Sequence, residues 1–95
     1  MVINTIVKGI LDYVGLDNKT NWYVGIAENP KKRLFIEHNV RENGNLWIYY
    51  DANSEINARD TEKYLLERYS FKGGVGGGIH PTYVYAYKIT PYTKK

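Results

Sequence analysis

Apolar residues at Val2, Ile3, Ile6, Val7, Ile10, Leu11 and Val14 recur every three or four positions, with Thr5, Lys8 and Asp12 between them. That spacing predicts an amphipathic first helix. Gly15 follows as a C-cap, with Leu16 placed for the apolar contact of a Schellman motif. Polar Asp17 to Asn21 leads into Trp22 to Ala27, an apolar and aromatic run that reads as a strand, with Gly25 where a backbone must approach something closely. Asn29 is placed as an N-cap and Pro30 as a first helical residue, so a second helix starts there, buries Leu34 and Phe35, and ends near His38 or Val40. Arg41 to Asn45 is a turn. Leu46 to Tyr50 is a strand with Leu46, Ile48 and Tyr50 on one face and Trp47 and Tyr49 on the other.

Asn53 or Ser54 caps a third helix, from about Glu55 to Tyr69. Lys72 to Gly78 is too rich in glycine for a helix and reads as a flexible or close-packing loop; it lacks the Gly-Lys-Ser/Thr ending of a phosphate cradle. Thr82 to Ile89 is the last strand, with Tyr83, Tyr85, Tyr87 and Ile89 on one face against Val84, Ala86 and Lys88. The tail from Thr90 to Lys95 is expected to fray. Helices thus alternate with three short strands, too few for a doubly wound sheet. The expected fold is α/β: a small, largely antiparallel three-stranded central sheet flanked by helices, with an extra N-terminal amphipathic helix. A chain of 95 residues accommodates this as one domain over 1–95.

Composition narrows the function. The absence of cysteine excludes disulfides and thiolate metal sites, leaving oxygen or imidazole as ligands. No apolar run approaches the ~20 residues of a membrane span, so a soluble, cytoplasmic protein with no membrane partner is expected. A net charge of +3 is modest but compatible with nucleic-acid binding. Ten tyrosines supply stackable surface, which suits bases and equally suits an amphipathic sheet. The apolar side of the first helix either closes the monomer or makes a homodimer.

Two places carry candidate chemistry. Lys31, Lys32 and Arg33 crowd the start of a helix, where cations oppose the macrodipole and call for solvent or an anion such as a phosphate ester. On the third helix, Ala58, Leu65, Leu66 and Tyr69 share one arc, and Glu62 falls in its middle while Asp60, Lys63 and Glu67 lie opposite. A carboxylate on a buried arc must be paired, hydrogen-bonded or bound to a cation. Arg33 or Arg59 is the structural partner and a metal ion the functional one. Tyr23 suits a core aromatic as well as a site, Arg33 can pair with Glu37 one turn on, His38 can favour a helix C-terminus, and His80 reads as structural or solvated.

Tyr23-Val24-Gly25, followed by Ala27, Asn29, Lys32, Arg33 and His38, and then by a strand and a helix carrying Glu62, Leu65, Leu66, Arg68 and Tyr69, resembles the GIY-YIG nuclease superfamily over about two thirds of the chain. The resemblance implies a metal-dependent endonuclease that hydrolyses nucleic-acid phosphodiesters, DNA in first place. It gives Glu62 the role of binding Mg²⁺ (or Mn²⁺), Arg33 that of clamping the scissile phosphate, Tyr23 that of orienting or deprotonating water, and His38 that of assisting proton transfer or holding Tyr23. Lys31, Lys32, Arg41 and Arg59 would track the nucleic-acid backbone. The alternative is a catalytically degenerate module on the same scaffold that binds nucleic acid or a protein. The family's first signature has its nearest counterpart at Gly9-Ile10-Leu11, within the first helix and without tyrosine, so Tyr13, Tyr49, Tyr50 or Tyr87 would have to supply the second phenol.

Overall fold

The computed structural model describes residues 2–74 and 80–94. Helix α1 (Val2–Val14) is followed by a 3₁₀ turn (Lys19–Asn21), strand β1 (Trp22–Ala27), a single α-helical turn α2 (Pro30–Lys32) that continues as a π-helical segment (Arg33–Glu37), strand β2 (Trp47–Asp51), helix α3 (Glu55–Arg68) and strand β3 (Tyr83–Lys88). The three strands form an antiparallel sheet in the order β1-β3-β2. The α/β fold with a small antiparallel sheet between helices is as the sequence led us to expect. The last strand in chain order occupies the middle.

Alternation along each strand sends side chains to two different cores. One face carries Val24, Ile26, Val84 and Ala86, with Ile48 and Tyr50 at its margin, and packs against Ile6, Ile10 and Val14 of α1 and Ala58 and Leu65 of α3. Ile6, Ile10 and Val14 of α1 are thus buried within the chain, while Ile3 and Leu11 are only partly covered. The opposite face carries Tyr23, Tyr85 and Tyr87, with Trp47 and Tyr49 beside them, and is covered by Leu34 from the π-helical segment and by Val40. Asp17 pins the start of β1, accepting from Trp22 Nε1 at 2.9 Å and pairing with Lys88 at 2.8 Å.

Three local expectations change. Gly15 has φ +64 and its N–H reaches the Leu11 carbonyl at 2.9 Å, the simpler left-handed cap, so Leu16 makes no Schellman contact and is fully exposed. The second helix departs from α geometry at Arg33, and His38 N–H bonds the Arg33 carbonyl five residues back at 2.8 Å. The tail does not fray through Lys94: its N–H donates to the His38 carbonyl at 2.7 Å, and Asn39 Nδ2 donates to the Tyr92 carbonyl at 2.9 Å. The glycine loop expected over 72–78 is described as far as Gly74; residues 75–79, the rest of that loop and Ile79, lie outside the described residues. Lys72 bridges to Tyr23 in parallel, extending the β1 edge by one pair of backbone bonds.

Candidate functional site

Strand register assembles the site from β1 and β3. Tyr23 stands opposite Tyr87, and the two rings stack at 5.2 Å and 23°. Gly25 stands opposite Tyr85, whose ring and hydroxyl occupy the space a Cβ at position 25 would fill. Glycine is thus required here by close approach of a tyrosine. Of the four phenols considered as replacements for the missing signature, Tyr87 is the one beside Tyr23. Tyr13 instead accepts from the Trp47 N–H at 3.2 Å, Tyr50 packs on the α1 side, and Tyr49 lies further along the sheet.

The π-helical segment positions the next two groups. Arg33 opens it and His38 follows it as the cap. The widened turn brings the His38 ring beneath the segment, 94% buried, against Tyr23 at 4.8 Å, Tyr87 at 5.0 Å and Tyr85 at 5.5 Å. His38 Nδ1 lies 2.5 Å from the Lys94 carbonyl, which can only accept, so Nδ1 carries the proton. Nε2 is left as an acceptor, and the Tyr85 hydroxyl donates to it at 2.7 Å. Tyr87 Oη donates to the same Lys94 carbonyl at 3.1 Å. With both nitrogens committed, His38 fixes the Tyr85 hydroxyl and packs against the Tyr23 ring. Burial holds the His38 pKa below its ordinary value, consistent with the neutral ring these bonds demand.

Tyr23 lies in the field of two opposite charges. Burial pushes its phenol above the ordinary value, the Arg33 guanidinium draws it back, and the Glu62 carboxylate pushes it upward again. Tyr85 is held well above the usual phenol range by burial first, and it too feels Arg33 and Glu62. Glu62, on α3, is half-buried, and burial raises its pKa against the pull of Arg59. The structural partners considered for it are engaged elsewhere: Arg33 pairs with Glu37 at 3.0 Å and Arg59 with Glu55 at 2.7 Å. Tyr23 and His38 are in ring contact, Arg33 opens the segment that His38 caps, and Glu62, on the helix that packs against the other face of the sheet, reaches Tyr23 only through its charge. Gly74 completes the surroundings, since a Cβ there would lie 2.8 Å from Tyr23 Oη.

The candidate backbone-tracking cations are divided. Lys31 and Lys32 are exposed and line a groove of about 650 Å³ together with Arg33, Tyr49 and Tyr83. Arg41 stands over the Tyr92 ring at 5.9 Å, and Arg59 is tied to Glu55, so neither lines that groove. Sequence reasoning missed Tyr85 and the Lys94 carbonyl. Alternation in the last strand was the only signal for Tyr85, and no local pattern announces a carbonyl.

Among the described residues no group of three His, Asp or Glu side chains gathers as a metal cage, and no helix is long and apolar enough to cross a membrane. No family model, curated protein or solved structure matches this chain.

Proposed function

We propose that this domain cleaves nucleic-acid phosphodiester bonds with the help of a divalent cation, as the resemblance to the GIY-YIG nucleases implies. The observation that carries the proposal is a Tyr23 phenol packed against His38 and Tyr87, next to Gly74, on which the charges of Arg33 and of the half-buried Glu62 act in opposite directions. A single hard carboxylate fits Mg²⁺ or Mn²⁺, cations that keep several waters and share substrate phosphate oxygens, and does not fit a closed protein cage. Glu62 would hold that cation, which when bound supplies charge stabilisation at the leaving oxygen.

The chain's own groups account for the remaining work. Arg33 presents a planar fork to a non-bridging phosphate oxygen, which suits charge developing in the transition state. Tyr23 orients the attacking water through its hydroxyl, and in the free protein it stays protonated because burial and Glu62 both oppose the phenolate. Neutralising Glu62 removes one of those oppositions while Arg33 still favours the anion. Tyr85, locked by His38, and Tyr87, stacked on Tyr23, keep the phenol in place.

The test is cleavage of supercoiled plasmid with Mg²⁺ and with Mn²⁺, run beside Glu62→Gln and Arg33→Ala. Nicking by the wild type that both variants lose supports the reading. Intact plasmid in every lane, or equal nicking by wild type and Glu62→Gln, rejects it.

A further inference from the structure

The groove that shares Arg33 with the Tyr23 centre is built differently from that centre. One wall is the Pro30–Lys32 turn, with Lys31 and Lys32 both exposed; the other is the tyrosine-bearing face of the sheet, with Tyr49 of β2 and Tyr83 of β3. Those two rings meet edge to face at 6.0 Å and 71°, and Tyr49 runs parallel to Trp47 at 6.0 Å and 11°, so half-buried aromatic surface continues along the sheet. Glu28 and Glu37 also line the groove, and Glu37 is already neutralised by Arg33. Exposed lysines lining the same groove as half-buried aromatic rings match a phosphate chain carrying bases with accessible faces. A duplex offers phosphates and base edges but keeps its base faces stacked inside.

We propose that this groove takes an unpaired nucleic-acid strand, with a base stacked on Tyr49 and Tyr83, phosphates on Lys31 and Lys32, and the next phosphate delivered to Arg33. The substrate class is then a single strand, or a duplex carrying an unpaired segment. This inference rests on the phosphodiesterase reading for the role of Arg33, but binding tests it without any cleavage.

Binding is measured in EDTA on the Glu62→Gln protein, by fluorescence anisotropy of three labelled probes: a nine-residue oligothymidylate, a nine-residue strand of abasic sites, and a hairpin duplex of equal charge. The oligothymidylate should bind best. Tyr49→Leu and Tyr83→Leu, which retain bulk, should each weaken it by between about 5-fold and 100-fold, while Tyr83→Phe retains binding. Lys31→Gln and Lys32→Gln should each flatten the salt dependence by about 0.7 in slope. Equal affinity for the abasic strand or the hairpin, or oligothymidylate binding unchanged by folded Tyr→Leu variants, overturns the proposal. Should a Leu variant fail to fold, the abasic comparison decides. Absence of plasmid cleavage would reject the catalytic reading while leaving this result standing.

Discussion

The two faces of one three-stranded sheet are packed on opposite principles. Beneath α1 and α3 lie mainly aliphatic side chains such as Ile6, Ile10, Val24, Leu65 and Val84, whose burial needs no hydrogen bond. Thr61, a fully buried polar side chain on α3, satisfies itself on the Asn57 carbonyl at 2.7 Å. Beneath the π-helical segment lie Tyr23, Tyr85, Tyr87 and His38, and the polar tips of the last three form a network ending on the Lys94 carbonyl, against which the Tyr23 ring is packed. Such a network fixes orientation but is unforgiving of partial loss, because a buried group left without its partner carries its full desolvation cost. The aliphatic side supplies cohesion; the tyrosine side supplies aim.

The contrast is broken most severely from the aliphatic side. Leu65→Ala should lower stability by about 2–5 kcal/mol in urea unfolding, and both faces should melt together, because β3 belongs to both. A separate, earlier loss of the tyrosine signal would show that the faces are independent. Next comes Glu62→Gln, for which we expect cleavage to fall by about 10²–10³-fold, of the order seen when a single group that stabilises transition-state charge is removed. Its melting temperature should be no lower than that of the wild type, since the buried carboxylate is disfavoured by its surroundings. A large drop in melting temperature would make Glu62 a structural residue.

Tyr85→Phe probes the network at a smaller scale, leaving His38 Nε2 unpaired at a cost of about 1–3 kcal/mol. Gly25→Ala should disturb the same ring by overpacking, at a similar cost of about 1–3 kcal/mol, and the double variant should cost less than the sum of the two. Additive losses would mean that Gly25 does not act through Tyr85. The smallest effect is pH dependence. His38 has a folded pKa below its ordinary value, so the unfolded chain takes up the proton first as pH falls. Stability from this group is complete above about pH 6.5 and is lost as pH falls from there through the folded value. Glu62 acts in the opposite sense at lower pH, because its folded pKa is raised. Thermal melts from pH 7.5 to 5.5 in the Glu62→Gln background therefore isolate His38, and a His38→Gln protein should show no such decline.

Much of this architecture is legible in the sequence because it depends on local periodicity. The three- and four-residue spacing of α1, the alternation of Tyr85 and Tyr87 with Val84 and Ala86, and the position of Glu62 on the α3 wheel are all set by the geometry of the element itself. The π-helical segment is not legible, since five residues are too few for its period to be told from 3.6. That local widening decides which way His38 faces. The anchoring of the tail is equally hidden, because His38 and Lys94 meet across 56 residues of chain. Leu16 is a simpler miss: Gly15 satisfies one helix carbonyl without turning the next side chain inward. Tyr85 gained meaning only through its register opposite Gly25, which neither strand announces alone.

Placing β3 between β1 and β2 has a consequence for assembly. The two outer strands have no hydrogen bonds to each other, and the template that joins them emerges from synthesis after both. Until residues 83–88 arrive, a nascent chain holds two aromatic ribbons with unsatisfied edges, the state most open to wrong partners. Folding should therefore be late and abrupt, with no functional fragment on the way, and the phenol cluster forms only with the closing of the sheet.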